Sequence, residues 1–473
     1  METLPGYILI LKSEFDLLIN TIESMSQKIL LLEDRIKELE GRLAKDSKNS
    51  HKPPSTDGYK KKIKIKNSRE KSGKKQGAQP GHVGKTLEQV PNPDRVINHS
   101  VVGKCECGQD LEQLPKKKTY RRQVFDLPKK LLEVTEHRIE VKECVCGKIH
   151  EAACEVKGNT QYGQRIKSLA VYLNQYQLLP FERIQELMED CFEVNISDFV
   201  LGKSNQVCYE NLEQPEANTK MALINSKVIH NDESGLRCNN KLHWVHVSST
   251  DMLTHYSIQE KRGSEGIDAI GILPEFKGTS VHDRFSAYEK YECEHSYCNA
   301  HLLRELKYLY EEENKKWASE MAALLVQANE LKKQENLDKF SIQNIEETYN
   351  LILKSGIKEE PFTIGLAQKG KRGRKAKPKS LRLFETFTNS RIEILKFIHN
   401  KDVPFDNNLA ERDIRMVKLK QKISGCFRTK NGAEIFCRIR GYISTCRKQG
   451  VAVLYAIEKA LMGQPVFLTQ FTT

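Results

Sequence analysis

The feature that most constrains this chain is a repeat near its start. Ile8, Leu11, Phe15, Leu18, Ile22, Met25, Ile29, Leu32, Ile36, Leu39 and Leu43 recur at alternating spacings of three and four, with charges between them. Only a helix returns such positions to one side, and a sustained heptad stripe suits a partner helix. Residues 1–46 are therefore expected to form a coiled coil joining copies of the chain; the alternative is an amphipathic helix packed on its own domain. The next segment offers little to pack on. From Lys48 to Lys85, twelve Lys or Arg face two acids among Pro53, Pro54, Gly58, Gly73, Gly77, Pro80, Gly81 and Gly84. Residues 47–95 read as a basic flexible linker, either solvated or lying along phosphates.

At 473 residues the chain has room for several further modules, since a domain usually holds about 100–200 residues. Its 76 Lys+Arg against 63 Asp+Glu leave a net +13. Because the excess is clustered, nucleic acid is the leading partner. No signal-like start and no long apolar run stands in the sequence, so a soluble, intracellular protein with no membrane partner is expected. Thirteen cysteines in such a setting read as metal ligands or buried thiols rather than as a disulfide framework.

Two of the cysteine groups are paired, "CECG" at Cys105 and Cys107 and "CVCG" at Cys144 and Cys146. Two thiolate pairs can close a tetrahedral zinc site, and the glycine after each allows the tight turn this requires. The spacing is C-x-C rather than the usual C-x-x-C, and four free cysteines are the alternative. Residues 96–158 are assigned as this β module, with "LLEVTEHRIEVKEC" as a strand delivering the second pair and His150 and Cys154 as spare ligands. Residues 159–220 turn helical, as a helix-turn-helix or as a plain helical linker.

From residue 221 strands begin. "NSKVIHNDESG" is expected to be a buried strand that ends by presenting Asp232 and Glu233, followed by "KLHWVHVSS", "LTHYSIQE" and "GTSVHDRFSAY", the last ending at Asp283. Three antiparallel strands and then one more with an acid at its end is the order of the ribonuclease H-like fold, whose first and fourth strands set their carboxylates side by side. Two such acids raise each other's cost of ionisation unless a cation lies between them, which favours Mg²⁺ or Mn²⁺. Downstream, in "FDNNLAERDIRMVKLKQKISGCFR", Asp406 or Asn408 can cap a helix carrying Glu411 in its first turn. Core segments 221–307 and 401–473 would then flank a helical insertion at 308–400.

The motifs "HNDESG", "HDRFSAY", "CNAHLLREL" and "FDNNLAERDIR", in this order behind the C-x-C-G pairs, resemble a DDE transposase of the insertion sequence 66 family. The resemblance covers nearly the whole chain. It implies Asp232, Asp283 and Glu411 as catalytic metal ligands for two Mg or Mn ions, with Glu233 supporting the turn. It also implies Cys298 and His301 as a structural or substrate-orienting C-x-x-H; half of a zinc site is the alternative for the two residues taken alone. Arg372 and Arg374 form the core of a basic stretch like a minor-groove hook. Arg412, Arg415, Lys418, Lys420, Lys422, Arg428 and Lys430 are DNA-contact candidates, or a solvated basic surface. The expectation is thus a multidomain α+β protein. It has an N-terminal coiled coil, a zinc-binding β module, a helical DNA-binding segment and a ribonuclease H-like α/β core with a helical insertion. Its partners would be double-stranded DNA at transposon ends and targets, further copies of the chain, and accessory transposition proteins, in a prokaryotic cytoplasm at the nucleoid. A DNA-binding regulator or inactive remnant is the competing reading.

Overall fold

The computed structural model describes residues 12–43, 87–128, 130–156, 158–360 and 377–466. Arg372, Arg374 and most of the expected basic linker lie outside these residues, as do Ile8 and Leu11 of the heptad run. The chain divides into two units, one of residues 1–58, 157–189 and 194–473, the other of 59–156 with 190–193.

The heptad segment forms one helix, α1 (Lys12–Leu43). Its stripe residues Phe15, Leu18, Ile22, Met25, Ile29, Leu32, Ile36 and Leu39 are all exposed. The smaller unit holds a hairpin of β1 (Val141–Glu143) and β2 (Ile149–Glu151), with Val141 opposite Glu151. The strand expected over 131–144 is therefore real only at its end. Its alternating pattern has no apolar layer beneath it, and Val134, Ile139 and Val141 stay exposed.

The larger unit continues with α2 (Gln164–Val171), extended by one π-helical turn over Tyr172–Tyr176, then α3 (Phe181–Phe192), α4 (Asp198–Asn211) and α5 (Glu213–Ile224). Next come β3 (Val228–Cys238), β4 (Lys241–Ser249), β5 (Thr254–Gln259), α6 (Ser264–Ile270), β6 (Thr279–His282) and β7 (Glu294–Tyr297). Helices α7 (Asn299–Glu312), α8 (Lys316–Lys333), α9 (Lys339–Gly356), α10 (Lys379–Asn389) and α11 (Arg391–His399) follow. The described chain closes with α12 (Asn408–Ser424), α13 (Lys430–Lys448) and α14 (Val453–Leu461).

The five strands form one mixed sheet in the order β5-β4-β3-β6-β7. β3 pairs antiparallel with β4 and parallel with β6, so the first and fourth strands of the sheet are neighbours. Alternation along β3 sends successive side chains to opposite faces. On one face Leu236, Cys238, Val245 and Val247 pack with Ala410, Ile414 and Val417 of α12 and Phe436 of α13. On the other, Ile229 joins Ile267 and Ile270 of α6 in a separate core. The helices between α7 and α11 bury their own cluster around Trp317, whose ring meets Phe384 and Phe387 edge-on and whose Nε1 donates to Glu360 at 3.1 Å.

One local expectation is corrected. β3 does not end at the paired acids but runs on to Cys238, because the hairpin with β4 carries it past the short β6. The parallel ladder between β3 and β6 stops at His230 and Val281. Asp232 thus sits mid-strand, where the sheet forks.

Candidate active site

The ladder positions the first two acids. Two residues beyond the last parallel partners, His230 and Val281, come Asp232 on β3 and Asp283 just after β6. Asp232 Oδ1 accepts the Glu233 N–H at 2.8 Å, and Asp283 Oδ1 accepts the Phe285 N–H at 3.1 Å. Burial pushes the Asp232 carboxyl well above the usual range, and the neighbouring acids Glu233, Asp283 and Glu411 push it further. A concentration of like charge in a half-buried place is what a cation would relieve.

The adjacent acid has a different environment. Glu233 turns to the α6 face, where its side chain is almost fully buried. Its Oε1 accepts from Arg262 Nε and Nη2 at 3.0 and 2.8 Å, and its Oε2 accepts from Tyr288 Oη at 2.6 Å. Burial and Asp283 still raise its carboxyl above the ordinary value. Every oxygen of Glu233 is therefore engaged within the fold. Arg262 in turn stacks over Phe285 at 4.2 Å and Trp244 at 5.0 Å, which holds the fork from below.

Glu411 lies in the first turn of α12, on the Asp232 face of the sheet. Neither expected cap occupies the N-cap position. That position is Asn407, while Asp406 accepts the Asn408 N–H at 3.0 Å in a local turn. Glu411 Oε1 is 3.6 Å from His301 Nδ1 and 3.8 Å from Arg304 Nη2, and Oε2 is 3.6 Å from Arg415 Nη2. Burial raises its carboxyl; Arg304 and Arg415 pull in the other direction, and Asp406 and Asp283 add to the rise.

Among the described residues, one group of three metal-capable side chains stands with its ligand atoms within 4.8 Å of one another, and it is Cys298, His301 and Glu411. The three acids Asp232, Asp283 and Glu411 are neighbours without being drawn that close. Cys298 Sγ takes the Asn407 N–H at 3.1 Å, and burial pushes its thiol up to about 12. A buried sulfur that already accepts a backbone N–H suits a packing role.

The paired cysteines adopt two matching turns. Cys105 N donates to Gln109 O at 2.9 Å and Gly108 N to Cys105 O at 2.8 Å; Cys144 N donates to Lys148 O at 2.8 Å and Gly147 N to Cys144 O at 2.7 Å. Gly108 and Gly147 have φ of +88° and +83°, which explains the glycine after each pair. Hydrogen bonds from Cys107 and Cys146 lower the thiols of Cys105 and Cys144. All four are exposed, as is Cys154, and the two pairs do not meet at one centre in this structure.

The expected basic surface divides. Arg412, Lys422 and Arg428 are exposed along and just beyond α12. Lys418 Nζ donates to Gly235 O at 2.6 Å, and Lys420 lies over the Phe427 ring at 5.3 Å, with burial bringing its ammonium down to about 8. Arg415 is exposed beside Glu411, and Lys430 is 3.8 Å from Glu434. Arg262, Tyr288, Arg304 and Asn407 were not singled out from the sequence. Tyr288, Arg304 and Asn407 stand inside motifs already noted, "HDRFSAY", "CNAHLLREL" and "FDNNLAERDIR"; Arg262 carries no local signal.

Residues 159–435, more than half of the chain, match the Transposase IS66 family, and the protein belongs to that family. Residues 2–88 match a family of unknown function, DUF6444. No curated protein matches the chain. Membership carries with it a transposase class and a DNA partner. Among the described residues no helix is long and apolar enough to cross a membrane.

Proposed function

We propose that this protein is a DNA transposase that binds element ends and carries out metal-dependent strand cleavage and strand transfer, with Asp232, Asp283 and Glu411 holding two Mg or Mn ions. The observation that carries the reading is the half-buried, mutually repelling set of acids at the fork of a β5-β4-β3-β6-β7 sheet, the strand order of the ribonuclease H-like fold. A pair of such ions, when bound, activates a water or 3′-hydroxyl and steadies the leaving oxygen in an in-line displacement. The chain's own part is to hold the acids. β3 and β6 fix Asp232 beside Asp283, and α12 brings Glu411 to the same face. Arg412, Arg415, Lys422 and Arg428 supply positive charge for phosphates of the element end or target, with Arg372 and Arg374 added from the insertion. Lys418, Lys420 and Lys430 extend that surface only if they exchange their present partners for DNA.

In this reading the two C-x-C-G turns hold zinc through Cys105, Cys107, Cys144 and Cys146, the segment α2–α5 contributes to end recognition, and Cys298 and His301 brace Glu411. The matching turns and lowered thiols favour a thiolate-binding role; one shared ion requires the turns to approach each other. The exposed stripe of α1 supports self-association. Leu32→Pro should break that helix, and a smaller species in sedimentation velocity is the expected result. An unchanged sedimentation coefficient would remove the coiled coil from the account.

The experiment that tests the function is cleavage and joining of DNA bearing the element's own ends, with Mg²⁺ or Mn²⁺, for the intact protein and Glu411→Gln. Metal-dependent cutting at the ends that vanishes in the variant is expected. Binding without cutting by both proteins, even with the element's accessory proteins supplied, would favour a DNA-binding regulator instead.

A further inference from the structure

Asn407 stands at the N-cap of α12, where an asparagine side chain ordinarily accepts an N–H of its own helix. Here it makes no such bond. Its side chain crosses to β3 instead. Nδ2 donates to Asn231 O at 2.8 Å, which leaves Oδ1 to accept from His230 Nδ1 at 2.8 Å, so the amide orientation and the histidine tautomer are both determined. The backbone of Asn407 is equally committed. Its N–H donates to Cys298 Sγ at 3.1 Å, and its carbonyl accepts the N–H of Glu411 at 3.2 Å.

These bonds connect every acid-bearing segment. Asn231 precedes Asp232 on β3. Its own Nδ2 donates to Ser280 Oγ of β6 at 2.9 Å, three residues before Asp283, while Ser248 Oγ of β4 donates to its Oδ1 at 2.7 Å. Cys298 opens α7, the helix that places His301 and Arg304 against Glu411. Asn407 is 1% exposed, Asn231 2% and Ser280 0%. An unmade hydrogen bond in such a place is costly, so the set holds one arrangement.

We infer that Asn407, held by His230, is the positioning residue that sets the spacing between the Asp232–Asp283 fork and Glu411. The inference rests on the reading of these acids as a metal site, and the chemistry concerned is a divalent cation bound by oxygen. Asn407 itself touches neither the metal position nor the substrate. Asn407→Asp keeps the shape and the acceptor for His230 but turns an oxygen toward Asn231 O where a donor is required. His230→Asn keeps a donor at the place of Nδ1, and His230→Phe removes it.

The test is Mn²⁺ titration of the full chain by calorimetry, with thermal unfolding of the same samples in the absence of metal. Wild type should bind and Asp232→Asn should not. Asn407→Asp is expected to weaken Mn²⁺ by about tenfold or more, the usual scale for residues that orient metal ligands. His230→Phe should weaken it in the same direction, and His230→Asn should restore wild-type affinity. Should Asn407→Asp fail to fold, the two His230 variants decide the matter alone. Wild-type Mn²⁺ affinity in Asn407→Asp, or in His230→Phe, would overturn the inference and reduce Asn407 to an ordinary structural residue. Absence of Asp232-dependent Mn²⁺ binding in wild type is a different failure, which would sink the metal site and the inference with it.

Discussion

Asp232→Asn is expected to abolish strand cleavage, and Glu233→Gln to leave it measurable, although the two acids are adjacent. The reason is the pleat. Asp232 shares its face with α12 and Glu411, whereas Glu233 lies on the opposite face, with both oxygens taken by Arg262 and Tyr288. Gln at 233 still accepts from Arg262 but turns an NH2 toward Tyr288 Oη, and losing that bond costs about 1–2 kcal/mol, offset in part by removing a charge that burial and Asp283 disfavour. The same change at 232 should have the reverse effect on folding. A carboxyl raised by burial and by acidic neighbours binds its proton more tightly folded than unfolded, so the folded state loses stability as pH rises from about 4, the ordinary Asp value. Removing the charge removes that loss. Without metal, Asp232→Asn should therefore melt higher than wild type at neutral pH while being inactive. End cleavage and thermal unfolding, measured on both variants, check the pair of statements; an active Asp232→Asn with a silent Glu233→Gln would exchange their roles.

How much of this was legible beforehand follows from which interactions are local. The helix of α1 could be read because the heptad repeat is a local pattern, and the position of Asp283 after β6 because a short strand-like stretch, "GTSVH", next to an acid is also local. β3 was expected to stop at Asp232 because the apolar run stops there. Its continuation to Cys238 depends on pairing with β4, a property of two segments rather than one. The strand expected before Cys144 survives only as β1 for the opposite reason, since alternation without a layer to bury it does not sustain a longer strand. Asn407 stood in a motif already noted, but a cap position predicts a bond inside its own helix, and only the tertiary fold turns that side chain toward His230, 177 residues away. The lysines of α12 were read as one basic surface. Periodicity does not reveal that a carbonyl at Gly235 and the Phe427 ring engage two of them.

The same distinction governs the second large effect, expected at a site with no sequence signal at all. Arg438 of α13 donates from Nε to Glu216 Oε2 at 2.6 Å and from Nη1 to Tyr209 O at 3.0 Å, with its guanidinium 3.8 Å over the Tyr209 ring. Glu216 Oε1 is 3.3 Å from Nε2 of His255, a fully buried ring on β5. Burial lowers the His255 pKa while its contact with Glu216 raises it, so Arg438 is the partner of Glu216 whose charge does not depend on pH. Burial alone would raise Glu216; His255 and Arg438 together bring it down to about 2. Arg438→Ala strands the carboxylate and should cost about 3–5 kcal/mol at pH 7. The pH dependence then distinguishes this mechanism from simple loss of packing. A depressed carboxyl contributes stability above its unfolded pKa of about 4.5, and that contribution disappears as pH falls toward 2. In Arg438→Ala the depression of Glu216 loses its Arg438 share, so protonating Glu216 costs the variant less than it costs wild type. The difference in unfolding free energy between the two proteins, measured by denaturant titration, should accordingly be larger at pH 7 than at pH 3.5. An equal difference at both values would mean that Arg438 acts through its contact with Tyr209 and not through its charge.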